Sequence, residues 1–289
     1  MILVTGAGGK TGDAVIKALT ARGQSVRAFA HHEAHRARLC ALGATAVSVG
    51  SLDDADAIAR AAEGARIVYH ICPNVSPHEL TFARAVADGV ARTGLRRFVY
   101  HSVLHPQIEA MPHHWQKSRV EEMLLAGSFD VTILQPTAYM QNILASWQTI
   151  VTEGFFRVPY PAETRIILVD LDDVADAASV VTTNDAHIGA TYELVGTAPL
   201  SQSDVADVIR AVLRKSVRVE AETPDAWAVR ARAARMDNDA CETLLKMFRY
   251  YEQHGLAGNP NVLKWLRGRE PTRLASFIAR TAIGIGIAN

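Results

Sequence analysis

The stretch TGAGGKTG, which begins at Thr5, contains residue types that hold phosphate groups in two different kinds of nucleotide site. Gly9, Lys10 and Thr11 resemble the end of a triphosphate-binding loop, whose pattern GxxxxGK[ST] requires a glycine five residues before the second glycine. Val4 occupies that position, inside an apolar run. The pattern therefore fails at the residue whose backbone freedom the loop requires, and we do not expect a triphosphate site.

The same glycines fit a dinucleotide-binding turn. Gly6, Gly9 and Gly12 form GxxGxxG between an apolar run and an amphipathic helical pattern. In such a turn the first glycine gives a sharp bend, the second lets a pyrophosphate approach the backbone, and the third packs helix against strand. The helix N-terminus adds partial positive charge, and Lys10 and Thr11 lie there. We predict that these five residues bind the pyrophosphate of a dinucleotide.

The segment FAHHEAHRAR, after the second predicted strand, favours NADP(H) over NAD(H). An acid at this strand end binds ribose hydroxyls, whereas a base accepts a 2′-phosphate. His31 stands there among basic residues, although Glu33 is close and a neutral histidine can also hydrogen-bond an unphosphorylated ribose. NADP(H) is the predicted preference and NAD(H) the alternative. His31 and His35 have i, i+4 spacing, but no third ligand is indicated nearby, so we predict no metal site.

These candidate residues require a scaffold, and the first half of the chain alternates short apolar runs with longer helical patterns. This alternation is typical of a parallel sheet with helices on both faces. It predicts a Rossmann-type, doubly wound α/β fold. The predicted strands are Ile2 to Val4, Val26 to Ala30, Ala46 to Val49, RIVYHI, RFVYHS and VTILQP.

The pattern becomes less regular after Pro136. The segment FFRVPYPAETR predicts a loop-rich excursion, and IILVDLDDVADAASVV predicts one more strand and helix returning to the main sheet over about residues 166–184. The segment SQSDVADVIRAVL predicts an amphipathic helix with Ser201 or Ser203 as its N-cap. We predict an NAD(P)-binding domain over residues 1–150 and a smaller substrate or partner lobe over residues 151–289.

Composition narrows the class of protein. A chain with 49% hydrophobic and 21% charged residues is typical of a globular protein. Equal numbers of basic and acidic side chains, 30 of each, leave no electrostatic signature of direct nucleic-acid or anionic-membrane binding. The three cysteines lack CxxC spacing, which indicates reduced thiols rather than a disulfide framework or zinc cluster. We therefore predict a cytoplasmic protein without membrane or nucleic-acid partners.

Four segments resemble the NmrA-like family, atypical members of the short-chain dehydrogenase/reductase superfamily. They are ILVTGAGGKTG, HHWQKSRVEEML, TILQPTAYMQNIL and YYEQHGLAGNPNVLKWLRGREPT, and the similarity extends over nearly the whole chain. The resemblance implies a Rossmann domain, a nicotinamide cofactor and a substrate cleft between the core and the C-terminal lobe. It implies a reductase of quinones, dyes and related small molecules, or a redox sensor that binds a protein partner. A homodimer also fits.

The resemblance draws attention to Lys117. Ordinary superfamily enzymes use YxxxK, in which the lysine lowers the pKa of the tyrosine, but here His113 stands four residues before Lys117. Either His113 or His114 donates a proton, or the site binds a cofactor without reducing a ketone. The structural alternatives are a polar helix start for the histidines and, for Lys117, a surface ion pair with Glu121.

The resemblance also implies contacts from other predicted strand ends. Ser102 falls where the superfamily places its active-site serine, with strand-end capping as the alternative. Many family members carry an arginine where His31 stands, so this chain departs from the family pattern there. The remaining expected cofactor contacts are Ser51 and Leu52 beside the adenine, Cys72 and Pro73 near the nicotinamide ribose, and Pro136 and Tyr139 beside the nicotinamide.

We therefore expect an NAD(P)H-dependent oxidoreductase that transfers hydride to a small, quinone-like or aromatic acceptor. Quinones need little or no acid from the protein, because water can protonate the anion that hydride addition forms. The alternative is a non-catalytic NADP(H) sensor that acts through a protein partner. Sugar-nucleotide epimerase chemistry is disfavoured because it depends on the tyrosine that this chain lacks.

Overall fold

The computed structural model describes residues 1–284, and they form two compact units. The first unit contains residues 1–109, 113–136 and 174–192. The second contains residues 110–112 and 137–173, and then residue 193 onward to the end of the described chain. The predicted functional division at residue 150 stays a prediction. Of the helices in residues 1–284, none is long and apolar enough to span a lipid bilayer.

A seven-stranded sheet has the strand order β10-β6-β5-β4-β1-β2-β3. Strands β1 to β6 pair in parallel, with Ile2 opposite Val26 on one side and Ile67 on the other. The predicted Rossmann-type, doubly wound α/β fold is confirmed. The strands of this sheet are β1 (Ile2–Val4), β2 (Val26–Ala30), β3 (Ala46–Val49), β4 (Ile67–His70), β5 (Arg97–His101), β6 (Asp130–Pro136) and β10 (Thr191–Leu194).

The apolar runs of the sequence form this sheet because its central strands are covered on both faces. Leu3, Val68 and Phe98 lie on three neighbouring strands and are fully buried. Strands covered on both faces are apolar throughout rather than alternating. The chain order of the strands reverses between β1 and β4, and ligands of such sheets bind at this reversal, beyond the carboxyl ends of the strands.

The helices begin where the sequence supplies caps or backbone turns. Asp54 caps α3 by accepting a hydrogen bond from the Ala57 amide at 2.9 Å. Within residues 1–284 the helices are α1 (Lys10–Ala21), α2 (Arg36–Ala41), α3 (Ala55–Ala62), α4 (Glu79–Ala91), α5 (Pro112–Leu125), α6 (Trp147–Glu153), α7 (Leu171–Thr182), α8 (Gln202–Leu213), α9 (Pro224–Ala233), α10 (Asn238–His254), α11 (Asn261–Arg267) and α12 (Leu274–Gly284).

Two small sheets in the second unit correct the sequence-based expectations. The segment predicted to be loop-rich contains β8 (Phe155–Val158), which pairs in parallel with β11 (Arg218–Ala221). The strand predicted to return to the main sheet is β9 (Leu168–Val169), and it pairs with β7 (Ala138–Tyr139) instead. The sequence did not predict either pairing, because these strands are short and their partners are distant in sequence and leave no local signal. Residues 174–192, which include most of α7, belong to the first unit with the main sheet.

The second unit also contains a predicted helix cap and several buried aromatic residues. Ser201 caps α8 in a reciprocal capping box with Asp204, as one of the two predicted alternatives. Trp147, Phe156 and Tyr160 are buried. Aromatic side chains therefore contribute to the apolar packing of this unit.

Segments particular to the family resemblance hold the N-terminal end of α7. Asp173 accepts hydrogen bonds from the Thr272 amide at 2.6 Å and the Thr272 hydroxyl at 2.8 Å. It also pairs with Arg267 at 2.8 Å, and both side chains are 3% exposed. Gln141 donates to Asp170 at 2.8 Å. The tail LRGREPT and the run QPTAYMQN therefore have structural roles in the second unit.

Candidate functional site

The turn between β1 and α1 contains two glycines, Gly6 and Gly12, at positions where the surrounding backbone leaves no room for a side chain. Gly6 has φ of +62°, and a Cβ atom placed on it would lie 2.3 Å from the Ile71 carbonyl oxygen. A Cβ atom on Gly12 would lie 2.6 Å from the Ala7 Cα atom. Both positions exclude a side chain, because the atoms in the way belong to the backbone. These two glycines fix the path of the turn and the start of α1.

Gly9 is different, because no residue of the described part of the chain requires a glycine there. Among residues 1–284, a Cβ atom on Gly9 would meet only the Gly6 carbonyl oxygen within 4 Å, at 3.8 Å. Gly9 is exposed and is the N-cap residue of α1, where no side chain caps the helix. Backbone N–H groups and the helix dipole make this end attractive to anions. The open glycine therefore leaves room for a group that approaches the backbone closely.

Lys10 and Thr11 form the first turn of α1, as the sequence predicted. Burial lowers the pKa of Lys10. Thr11 is half-buried. With Gly6, Gly9 and Gly12, they place a lysine, a hydroxyl and the N-terminal end of α1 at the topological reversal of the sheet.

His31 and His32 follow β2 directly, and both are exposed. Their ring centroids lie 4.4 Å apart in an edge-to-face arrangement. Beside them, Ser51 and Leu52 follow β3 and are half-buried, and the Gly50 amide donates to the Ala30 carbonyl at 3.0 Å. The ends of β2 and β3 therefore lie together, as the predicted adenosine contacts require.

The two arginines after β2 are bound to other groups of the first unit. Arg36 donates to Glu33, and to a backbone carbonyl of β3 at 2.8 Å. Arg38 pairs with Asp13 of α1 and donates to the Gly8 carbonyl at 2.8 Å. The basic character of this segment is thus partly neutralised by internal partners.

The carboxyl end of β4 is joined to β1 through Thr5. The Thr5 hydroxyl lies 2.7 Å from His70 Nδ1 and accepts from the Ile71 amide at 3.2 Å. Cys72 is buried, and burial raises the pKa of its thiol far above the ordinary value. A thiol held protonated is a poor nucleophile. Pro73 is exposed beside it.

Lys117 is buried in an ion pair, and the alternative of a surface pair with Glu121 was wrong. Lys117 Nζ lies 2.8 Å from Glu79 Oε1, and the two side chains are 10% and 3% exposed. The same carboxylate oxygen accepts the Tyr100 hydroxyl at 2.7 Å, and Lys117 donates to the His101 carbonyl at 3.3 Å. We call Glu79, Tyr100, His101 and Lys117 the Lys117 cluster.

Glu121 binds partners at the carboxyl ends of β5 and β6. Ser102 donates its hydroxyl to Glu121, and Gln135 Nε2 lies 2.9 and 3.0 Å from the two carboxylate oxygens. Burial raises the pKa of Glu121, while the hydrogen bonds from Ser102 and Gln135 act in the opposite direction. Ser102 is therefore oriented by a carboxylate from α5 rather than by a strand-end cap.

His113 and His114 lie at the start of α5, and both are buried. Burial lowers the pKa of His113 to about 3 and that of His114 to about 4, and the Lys117 charge acts in the same direction. His114 Nδ1 lies 3.2 Å from the His105 carbonyl, which requires the Nδ1–H tautomer. Both rings are neutral near pH 7, and the Nδ1 atom of His113 is buried without a hydrogen-bond partner among the described residues.

Pro136 ends β6 in the first unit, and its carbonyl accepts from the Leu104 amide at 2.9 Å. Tyr139 belongs to β7 of the second unit and is half-buried. The structure therefore brings together the predicted site residues at the carboxyl ends of β1, β2, β3, β4, β5 and β6.

Sequence reasoning missed Glu79, Tyr100 and His70. Glu79 is the first residue of α4, where an acid is ordinary, and Tyr100 is one aromatic residue in a buried strand. His70 is fully buried, and its ring stacks on Tyr100 with centroids 5.9 Å apart. A polar residue inside an otherwise apolar strand was the sequence signal that could have indicated His70.

Residues 1–284 contain no group of three or more His, Cys, Asp or Glu placed to hold a metal ion.

Comparisons with known proteins agree with this architecture. An NAD(P)H azoreductase from Xenophilus azovorans is 25% identical over 293 residues, covering 100% of both chains. A solved NADPH-dependent quinone oxidoreductase from Escherichia coli, complexed with NADPH, has a TM-score of 0.85 at 23% identity over 97% of this chain and 99% of its own. The Citrobacter sp. triphenylmethane reductase complexed with NADP(H) has a TM-score of 0.84 at 18% identity, with the same coverages. The NmrA-like family model matches residues 1–281, and the chain belongs to the NmrA-like family.

Proposed function

We propose that this protein is an NAD(P)H-dependent oxidoreductase that transfers hydride to a small, quinone-like or aromatic acceptor. NADP(H) is the preferred cofactor and NAD(H) the alternative. The observation that carries the choice of acceptor is that His113 and His114 are held neutral. Support for the reaction class comes from the reductases named above. The free thiols predict the cytoplasm as its location.

The residues of the β1–α1 turn suit a dinucleotide pyrophosphate. Gly9 leaves the space that a side chain would fill, while Gly6 and Gly12 fix the backbone around it. Lys10 and Thr11 supply a positive charge and a hydroxyl at the N-terminus of α1. His31 would bind at the adenosine ribose, with Ser51 and Leu52 beside the adenine. Cys72, Pro73, Pro136 and Tyr139 would border the nicotinamide half.

Lys117 would bind the nicotinamide ribose from a position that Glu79 fixes. Its ammonium has lost much of its freedom to the 2.8 Å ion pair, so it acts by orientation rather than by giving up a proton. Ser102 is likewise oriented by Glu121 and offers a hydroxyl at the end of β5. These groups would position the cofactor and the acceptor and exclude water.

A quinone-like acceptor fits a site in which the histidines are not acids. When bound, a reduced nicotinamide supplies a hydride and is oxidised to the nicotinamide cation. A quinone that takes up the hydride gains two electrons and one hydrogen and becomes a hydroquinone anion. Water then supplies the second proton, so neither His113 nor His114 has to be charged.

Incubation with NADPH and a panel of quinones tests this proposal. We expect NADPH oxidation that depends on both protein and quinone. The His113→Gln variant should retain turnover within about threefold, because a general acid would contribute about 10²- to 10⁴-fold. The wild-type rate should also show no histidine titration between about pH 6 and 8.

Other outcomes point to other functions. Tight NADPH binding without oxidation of any quinone would contradict the reductase and favour an NADP(H) sensor with a protein partner. Reaction of a UDP-sugar would contradict both. A large loss of turnover in His113→Gln would assign a proton to His113 and remove the argument for an acceptor that needs no acid. The oligomeric state, with a homodimer as one prediction, is independent of these outcomes.

A further inference from the structure

Two carboxylates lie near Lys117 in the first unit, and they differ in the charge of their partners. Glu79 Oε1 lies 2.8 Å from Lys117 Nζ, so this pair combines one negative and one positive side chain and adds no net charge. Glu121 lies about one helical turn beyond Lys117 on α5. The net charge of this region therefore depends on Glu121.

The hydrogen-bond partners of Glu121 stabilise its ionised form without neutralising it. Gln135 Nε2 lies 2.9 Å from Oε1 and 3.0 Å from Oε2, and the Ser102 hydroxyl donates to Oε1. Burial raises the pKa of Glu121, but these hydrogen bonds and the charge of Lys117 act against the rise. A hydroxyl and a side-chain amide carry no charge, so these partners leave the negative charge of Glu121 uncompensated.

The other buried titratable groups around Lys117 are neutral near pH 7. Burial raises the pKa of the Cys72 thiol and of the Tyr100 hydroxyl, and it lowers the pKa of four histidines to about 3 or about 4. These histidines are His70, His101, His113 and His114. Lys117 and the two carboxylates therefore leave an excess of one negative charge in this part of the described chain.

A charge in this region matters because hydride transfer changes the charge of a nicotinamide. The reduced ring is neutral, and it becomes a cation when the hydride leaves for the acceptor with both electrons of its C–H bond. A nearby negative charge stabilises the cation more than the neutral ring. A carboxylate that is held in place and partly buried suits this task, since water and salt screen it less than a surface charge.

We propose that Glu121 favours the oxidised, cationic nicotinamide over the reduced ring, and that Glu79 assists by cancelling the charge of Lys117. This inference rests on the proposed function, because it requires a nicotinamide beside Lys117. Neither carboxylate has to touch the cofactor, since charges act over a distance. By stabilising the product of hydride loss, the two carboxylates make bound NADPH a stronger hydride donor to an acceptor that receives no proton from the protein.

Calorimetric titration of the whole protein with NADP⁺ and with NADPH tests this effect. The measured quantity is the dissociation constant of NADP⁺ divided by that of NADPH, at about pH 7.5 and constant ionic strength. The two cofactors carry the same phosphates, so contacts elsewhere in the site cancel in this ratio. A tenfold rise in the ratio corresponds to a rise of about 30 mV in the two-electron reduction potential of the bound cofactor.

Three substitutions should move this ratio in directions that the charges dictate. Glu121→Gln removes the excess negative charge and Glu79→Gln unmasks the charge of Lys117, so each should raise the ratio on the order of tenfold. Lys117→Met leaves Glu79 uncompensated and should lower the ratio, while it weakens the binding of both cofactors. Glu122→Gln, next to Glu121 but at a side chain that is 78% exposed, is the matched control and should leave the ratio unchanged.

The ratio separates an electrostatic role from a structural one. If Glu121→Gln changed both dissociation constants by the same factor, the carboxylate would act on the shape of the site, and the proposal would be overturned. An equal rise of the ratio in Glu122→Gln would overturn it as well. Glu121 is half-buried, so its variant decides the matter even where Glu79→Gln does not fold. If the wild-type protein binds neither cofactor, the proposed function fails, and this inference fails with it.

Discussion

The β1–α1 turn and the Lys117 cluster lie in the same unit but are stabilised by different physics. The turn is a backbone structure, in which Gly6 and Gly12 are required because any side chain would collide with main-chain atoms. The Lys117 cluster is a side-chain structure, in which a buried ammonium and a buried carboxylate compensate one another. The two regions meet through Thr5, whose hydroxyl lies 2.7 Å from the His70 ring that stacks on Tyr100.

Because of this difference, the two regions are destabilised by different kinds of substitution. The turn is destabilised when a methyl group is added at Gly6 or Gly12, because the new atom collides with the backbone. The Lys117 cluster is destabilised when a charged side chain is replaced by an uncharged one of the same size, because the charge of its partner is then buried without compensation. Substitutions can therefore separate shape from charge in one unit, and the four predictions descend in the effect that a single residue is expected to have on the free energy of unfolding.

The largest effect is expected for Gly6→Ala. The new Cβ atom would lie 2.3 Å from the Ile71 carbonyl oxygen, at a backbone φ of +62°. Left-handed backbone strain and overpacking together should lower the free energy of unfolding by about 3–5 kcal/mol. Urea unfolding measures the loss.

Gly23→Ala is the matched control for this variant. Gly23 has φ of +72°, but a Cβ atom there would meet nothing within 4 Å. It therefore carries the backbone strain without the collision, and should cost about 1–2 kcal/mol. If the two variants lost the same stability, the collision with the Ile71 carbonyl oxygen, just after β4, would not be the reason that position 6 requires a glycine.

The next effect is expected for Glu79→Gln in the Lys117 cluster. The substitution preserves size but leaves the ammonium of Lys117 without its counter-charge in a buried position. We expect the free energy of unfolding to fall by about 2–3 kcal/mol, somewhat less than for complete loss of a partner because the amide oxygen still accepts hydrogen bonds. Urea unfolding of the variant measures this change.

A double-mutant cycle with Lys117→Met assigns the loss to the pair. Lys117→Met should cost less in the Glu79→Gln background than in the wild type, because no buried carboxylate is then left unpaired. Glu122→Gln, at an α5 position whose side chain is 78% exposed, is the control and should change stability by less than about 0.5 kcal/mol. Additive losses would show that the ion pair does not couple the two residues.

The sequence predicts the turn better than the cluster, for a physical reason. The spacing of Gly6, Gly9 and Gly12 is a local pattern, since backbone geometry over a few residues requires it. The Lys117 pair joins residues 38 positions apart on α4 and α5. Nothing within either helix indicates that its partner lies on the other helix, so an i, i+4 pair with Glu121 was the natural but wrong alternative.

The rest of the fold shows the same difference between local patterns and contacts that are distant in sequence. The parallel sheet was predicted because buried strands are continuous apolar runs between helical patterns. The two-residue strands β7 and β9 were not, since their pairing depends on distant segments. The neutral state of His113 and His114 also depends on burial, which the polar composition of HHWQKS does not indicate.

Mild acid should destabilise the protein through buried histidines around the Lys117 cluster. Burial lowers the pKa of His70 and His114 to about 4, and of His101 and His113 to about 3. The unfolded chain takes up protons at an ordinary histidine pKa of about 6.5, whereas the folded chain does not. Stability is therefore fully present above about pH 6.5 and is lost as pH falls toward about 4 and 3.

Each of these histidines should lower the free energy of unfolding by about 1 kcal/mol when the pH falls from about 7.5 to about 5.5. Urea unfolding at the two pH values measures the change. His114→Gln should reduce the total acid-induced loss by about that amount, because glutamine does not titrate. His78→Gln, at an exposed position, is the control and should leave the loss unchanged. A wild-type stability that is constant between these pH values would contradict the neutral, buried state of the rings.

The smallest effect on stability, with a large effect on binding, is expected for Gly9→Ala. Its Cβ atom would meet only the Gly6 carbonyl oxygen, at 3.8 Å, and Gly9 already has extended backbone with φ of −95°. The free energy of unfolding should therefore change by less than about 0.5 kcal/mol. A methyl group at this position would instead obstruct a pyrophosphate, so the dissociation constant for NADP⁺ should rise at least about tenfold. Gly9→Ala thus separates the part of the turn that the fold requires from the part that the nucleotide requires. If Gly9→Ala bound NADP⁺ as tightly as the wild type, the pyrophosphate would not approach Gly9, and the assignment of the open glycine to the cofactor would be wrong.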